Sequence, residues 1–267
     1  MKNRFLSCCL AILPCLATPL YAQDDAERRA EVPKTTTLSV DYSRVQFVED
    51  IDPWQIASAQ LGQRTSHGTM IGRVNLADRF GSKGAQFEAD AYPKLWSGAY
   101  GYLNVGYSSS SIFPEWRSGA ELFLSLRDAY EASFGYRQLR FGGTPTTLFT
   151  GALGKYVGNE WYSLRPYVHS SSSGTSASLG LTARHYYADG DHYVGARASF
   201  GNSPPDQVTT DLASLARQRS WSASVGGSGG LTGDLLLNWS LGYEHEELTS
   251  TRTRQSWTIS TGLRIPL

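Results

Sequence analysis

Residues 233–246 read GDLLLNWSLGYEHE, and two faces separate along them. Leu235, Leu237, Trp239, Leu241 and Tyr243 fall on one side of a period-two repeat. Leu236, Asn238, Ser240, Gly242 and Glu244 fall on the other. Successive side chains of a strand point to opposite faces, so this is a strand with one apolar and one polar side. The rhythm recurs outward from it. Phe87, Ala89 and Ala91 alternate with Gln86, Glu88 and Asp90, and Trp116, Ala120, Leu122 and Leu124 oppose Arg117, Gly119 and Glu121. Tyr130, Ala132, Phe134 and Tyr136 oppose Glu131, Ser133, Gly135 and Arg137. Leu179, Leu181 and Ala183 oppose Gly180, Thr182 and Arg184; Val194, Ala196 and Ala198 oppose Gly195, Arg197 and Ser199. The last twelve residues, SWTISTGLRIPL, keep the same beat to Leu267.

A soluble sandwich or lipocalin-like barrel also alternates, with the apolar side turned in. Three features favour the opposite polarity. The segments run about ten residues or more, the length that crosses a bilayer at a tilt, where soluble strands average about five to six. The polar side is Gly, Ser, Thr and Asn with scattered Arg and Glu rather than the Lys- and Glu-rich dress of a soluble surface. Aromatic residues stand near segment ends (Trp54, Trp96, Trp116, Tyr130, Tyr136, Trp161, Trp221, Trp257), as in the interfacial girdles of outer-membrane barrels. In lipid only a closed sheet gives every strand its hydrogen-bond partners. The expected fold is all-β: one antiparallel up-and-down transmembrane barrel over residues 37–267, of about 14 strands. Twelve would fit if two of the first three segments merge, since their alternation slips around Arg44 and Ser58.

The amino end reads differently. Lys2 and Arg4 precede an apolar run to Leu20 and then Leu-Tyr-Ala before Gln23, the plan of a secretory signal peptide over 1–22. Residues 23–36 form a short charged periplasmic lead-in. All three cysteines (Cys8, Cys9, Cys15) lie in the leader, so the mature chain has no disulfide, thiolate nucleophile or cysteine metal site. Its charge balance, 22 Lys+Arg against 24 Asp+Glu once Lys2 and Arg4 are removed, lacks the basic surplus of a nucleic-acid binder.

With the apolar faces outward, the interior set is Glu88, Asp90, Tyr100, Tyr102, Arg117, Glu121, Glu131, Arg137, Arg165, Arg184, Arg197, Glu244 and Arg264. Fourteen strands about 4.8 Å apart, tilted about 40°, give a backbone diameter of roughly 28 Å. Long opposite charges inside it suit a salt-bridged filling or the lining of a pore equally.

The stretches EADAYPKLWSGAYGYLNVGYS, SSIFPEWRSGAELFLSL, EASFGYRQLRF and FTGALGKYVGNEWYSLRPYV resemble the YaiO family of outer-membrane β-barrels, strongly over about residues 85–200 and in pattern beyond. The combination of Ala91-Tyr92-Pro93, Phe113-Pro114, Gly154–Asn159 and Arg165-Pro166-Tyr167 carries the likeness. It implies the bacterial outer membrane, with outer-membrane lipid, lipopolysaccharide and the barrel-assembly machinery as partners. It implies no reaction. Some relatives carry helical repeats or lie among polysaccharide-synthesis proteins, a hint of glycan export. This chain has no room for such a module. The alternating last strand also resembles the signal read by the assembly machinery, although it ends on Leu267 where an aromatic ring is usual.

Catalysis finds little purchase. His169 and Ser171 share a face at a strand end, the spacing of a base and a nucleophile, but beside a serine run that spacing arises by chance. His185 is expected on the lipid face, and His245 lacks a second histidine at zinc spacing. Asp189–Asp191 reads as a turn, and the glycines of 226–230 as flexible chain near a turn. No enzyme and no cofactor are expected. The expected role is a channel for small polar solutes or oligosaccharide; a non-conducting structural or receptor-like barrel is the alternative, and an outer-membrane acyl hydrolase or acyltransferase a minor one.

Overall fold

The computed structural model describes residues 35–171, 174–202 and 219–267. They form fourteen strands: β1 (Thr35–Phe47), β2 (Trp54–Thr65), β3 (Gly68–Arg79), β4 (Ser82–Trp96), β5 (Ala99–Tyr107), β6 (Trp116–Ser125) and β7 (Tyr130–Phe141) make one half. The other half is β8 (Thr144–Val157), β9 (Glu160–Ser171), β10 (Gly174–Tyr186), β11 (Tyr193–Gly201), β12 (Arg219–Thr232), β13 (Leu235–Thr249) and β14 (Arg252–Pro266). Each strand pairs antiparallel with its neighbours in the chain, and β1 closes on β14 from Thr37 opposite Pro266 to Phe47 opposite Ser256. The twelve-strand alternative is excluded, because β1, β2 and β3 are separate strands in unbroken register. The leader and lead-in lie outside the described residues, except that Thr35 and Thr36 already belong to β1.

Connections differ at the two ends. Where the chain termini lie, the links are mostly two residues, and Gly98 (φ +80°) and Gly158 (φ +60°) supply the left-handed backbone that tight hairpins demand. The two longest links, 108–115 and 202–218, join strands at the opposite end together with 48–53, while the terminus end has nothing longer than the six residues 187–192. Short periplasmic turns and long outer loops are the rule for bacterial barrels, which makes the terminus end periplasmic. Among the described residues no helix is long and apolar enough to cross a membrane; the strands do so.

The alternation is realised with the apolar side out. Phe87, Phe134 and Phe149 are each about 60% exposed (58, 62 and 58%) to what is lipid in the membrane, whereas Glu88, Glu121 and Arg137 between them are buried inside. Two of the expected girdle residues face inward instead. Trp54 is opposite Val45 on the inner face of β2, and Trp161 is opposite the inward Arg184 on β9. Near the outer end of β1 and β2 the polarity is inverted: Val45, Phe47, Trp54 and Ile56 point in while Arg44, Gln46 and Gln55 point out. That inversion is the physical reason the alternation of these strands looked irregular.

Candidate functional site

The site is the barrel interior, and the size of its side chains divides it. Strands β3–β7 present long charged groups. Arg73 meets Glu88 at 3.4 Å and Asp90 at 3.1 Å, and Arg117 meets Glu88 at 3.5 Å. Asn75 donates to Glu88 at 2.7 Å; Asn104 and Tyr102 donate to Asp90 at 2.7 and 3.1 Å. One level lower, Glu121 receives Arg137 at 2.6 Å, Arg165 at 2.7 Å and the Ser133 hydroxyl at 2.6 Å, with its own side chain fully buried. Arg165 starts on β9 and reaches β6 by lying along the wall over Thr150. Tyr100 donates to Glu131 at 3.4 Å, and the Arg137 guanidinium sits 4.6 Å from the centre of the Tyr102 ring. A carboxylate removed from water needs such partners, and shared acceptors bind this mosaic into one network.

Strands β8–β13 present the opposite texture. Their inward positions include Gly154, Ser163, Gly180, Gly195, Ser224 and Gly226. From this low wall rise a few large groups. Arg184 lies 5.1 Å from the Trp161 ring and 4.7 Å from the Tyr193 ring, and Arg197 projects diagonally beside it from β11. Among the described residues neither arginine meets a carboxylate. Arg264 instead pairs with Asp191 in the β10–β11 turn at 2.5 Å.

The outer end is packed. The segment 108–115, expected as an outer loop, folds into the barrel mouth. Phe113 is 1% exposed, and the side chain of Ser110 occupies the place a Cβ at Gly84 would take. Ile112 and Phe113 cluster with Ile56 and Ala77; Val45, Phe47 and Trp54 form a second cluster. Arg79, bonded to the Ile112 carbonyl, stands 5.3 Å from the Trp54 and Phe113 rings. Arg254 stands 5.1 Å from Trp54 and pairs with Glu246 at 2.6 Å. The Trp54 indole nitrogen and the Gln86 amide nitrogen are buried there without a hydrogen-bond partner among the described residues.

The thirteen residues expected inside all lie on the inner face: twelve are placed above, among them Tyr100 and Tyr102 opposite Phe123 and Glu121, and Glu244 lies opposite Ser222. Sequence reading missed Arg73, Asn75, Asn104, Arg79, Arg254 and Glu246. Arg73 and Asn75 were findable, since they alternate with Val74 and Leu76. Arg79 and Arg254 were not, because the rings they accompany were placed on the wrong face or in a loop.

The residues weighed for catalysis are scattered. His169 faces the bore with Nδ1 2.8 Å from the Thr147 carbonyl, and the side chain of Ser171 lies outside the described residues. His185 is outward and 2.6 Å from Glu160; His245 is outward, stacked on Trp221. Residues 226–230 lie in the last part of β12, close to the turn that leads to β13. Among the described residues no three His, Cys, Asp or Glu side chains converge as a metal site.

The sequence of residues 35–206 matches the YaiO membrane beta barrel domain. The chain belongs to the YaiO family. No functionally curated protein matches it in sequence. Its fold is similar to that of the CymD monoaromatic hydrocarbon channel (TM-score 0.58, 8% identity, covering 88% of this chain and 89% of that one). It is also similar to a bacterial polysaccharide outer membrane secretin (TM-score 0.55, 7% identity, 87% and 98% covered). An Acinetobacter baumannii outer membrane protein gives a TM-score of 0.53 at 10% identity, with 87% and 99% covered. At such identities the likeness is one of fold: this YaiO-family chain is an outer-membrane β-barrel of porin-like architecture.

Proposed function

We propose that this YaiO-family barrel conducts small polar solutes through a slot between the charged mosaic of β3–β7 and the low wall of β8–β13. The observation that carries this reading is the pairing pattern. The arginines of the mosaic are compensated by carboxylates, whereas Arg184 and Arg197 stand over the glycine- and serine-lined side with no carboxylate partner among the described residues. A purely structural filling has no use for uncompensated charge, while a passage gains an attractive ring for anionic or hydroxylated solutes. Trp161, Tyr193 and Tyr167 beside these arginines add flat faces of the kind that suit sugar rings. Outer-membrane lipid, lipopolysaccharide and the assembly machinery are the partners that go with this placement.

Purified, folded protein in a planar bilayer tests the proposal. Discrete single-channel currents are expected, with a reversal potential in a potassium chloride gradient displaced toward chloride. A current-free bilayer would leave the alternative, a non-conducting structural or receptor-like barrel. That alternative has its own observation, the packing of Ile112, Phe113 and Trp54 in the outer mouth.

A further inference from the structure

The lipid side of the barrel is not uniformly convex. A cavity of about 840 Å³ is lined by outward pairs on successive strands, each pair flanking one inward residue whose backbone forms the floor between them: Leu153 and Lys155, Tyr162 and Leu164, Leu181 and Ala183. Ala196 and Ala198, then Ala223 and Val225, then Leu241 and Tyr243 continue it to Trp257. A hollow reached from outside across these strands requires the wall to bend inward. The low inner face of β8–β13 leaves space for that bend, and Ala183, Ala196, Ala198 and Ala223 make its outer floor shallow-chained.

The groove climbs. Lys155 stands two residues from the periplasmic end of β8, whereas Trp257 stands nine from the corresponding end of β14. Seven residues at about 3.3 Å each, tilted about 40°, amount to a rise of roughly 18 Å. The hydrocarbon core is about 30 Å thick, so the groove spans roughly one leaflet. Its lower mouth carries the one outward cation of the lining. Lys155 Nζ donates to the Tyr130 hydroxyl at 3.0 Å and lies 4.2 Å from that ring's centre, and an ammonium has further donors to give. Glu160, an outward acid on that rim, is engaged by His185.

We propose that this groove binds one anionic phospholipid of the periplasmic leaflet, its phosphate on Lys155 and an acyl chain along the alanine floor toward Trp257. A second barrel is a poor occupant, since a convex wall cannot fill a groove. A flexible chain one leaflet long can, and the positive charge sits at the height of its headgroup.

The test is native mass spectrometry of the detergent-extracted, delipidated barrel titrated with phosphatidylglycerol or phosphatidylcholine. One phosphatidylglycerol should survive activation that strips the others, with phosphatidylcholine held about fivefold less tightly, as one basic residue near a headgroup provides. Ala198→Phe should remove the retained lipid, and Lys155→Gln should erase the headgroup preference while keeping the chain. Both side chains face outward, so each variant should keep the heat-modifiable mobility of a folded barrel. Equal retention by the original protein and Ala198→Phe, a headgroup preference unchanged in Lys155→Gln, or a retained second copy of the chain would each overturn the proposal.

Discussion

Glu121→Gln is the substitution whose consequences the structure fixes most closely. The carboxylate accepts from Arg137 at 2.6 Å, Arg165 at 2.7 Å and Ser133 at 2.6 Å, and its side chain has no exposure. Glutamine has nearly the same shape, but its amide nitrogen turns donor hydrogens toward one of the two guanidinium groups, and the charge that both share is withdrawn. Breaking a buried pair from one side costs about 3–5 kcal/mol. Arg165 retains 24% side-chain exposure, so water screens part of the loss and the lower figure, about 3 kcal/mol, applies. With a urea slope of about 3 kcal/mol per molar, the unfolding midpoint in lipid vesicles, followed by tryptophan fluorescence, should fall by about 1 M. In the bilayer, the negative charge withdrawn from beside Arg137 and Arg165 should increase the preference for anions. A midpoint within ~0.2 M of the original, together with unchanged selectivity, would refute the view that Glu121 is the charge at the centre of this network.

Other expectations follow from the remaining parts of the interior. Phe113→Ala should loosen the packed mouth and raise single-channel conductance, at a stability cost of about 3–5 kcal/mol by the usual loss for a buried ring; an unchanged conductance would place the passage away from segment 108–115. Ser224→Trp, which adds a large ring to the low wall opposite Arg197, should lower conductance with little change in the unfolding midpoint. The Asp189 carboxyl is held below the usual aspartate range, first by its hydrogen bond from His192 and further by the Asp191 backbone N–H, against slight desolvation. A depressed value means the contribution is present above the ordinary aspartate range and lost as pH falls through the depressed one. A carboxyl chemical-shift titration in micelles should therefore show Asp189 with a lower midpoint than the free amino-acid side chain, and His192→Ala should raise it toward that value, the Asp191 backbone N–H remaining.

The alternation of β13 was enough to read a strand and its two faces, and repetition of that pattern gave a closed barrel with the thirteen interior residues on one side. What escaped was the interior where it ceases to be polar. Period two fixes the phase of a strand, but the sign, in or out, comes from composition. At Val45, Phe47, Trp54 and Ile56 both faces carry apolar groups or the polarity reverses, so composition assigned Trp54 to a lipid girdle. Trp161 was misplaced for the same reason, since a ring at a strand end suits an interface as well as a stack on Arg184. The inward fold of segment 108–115 rests on contacts between residues far apart in the chain. Its trace in the sequence is an Ile-Phe pair inside a serine-rich loop, an apolar expense for a solvent-exposed link. The bend in the β8–β13 wall is legible only afterwards, in the run of small inward residues opposite the long ones.

The central claim, that the apolar face meets lipid and the polar face encloses the axis, is tested most directly on β13. Nitroxide labels placed one at a time at residues 237 to 242, in vesicles, should show oxygen accessibility high at Leu237, Trp239 and Leu241 and low at Asn238, Ser240 and Gly242. Accessibility to a water-soluble nickel chelate should run opposite or stay low throughout. Oxygen accessibility without a two-residue period, or with its maxima at the polar positions, would contradict the account.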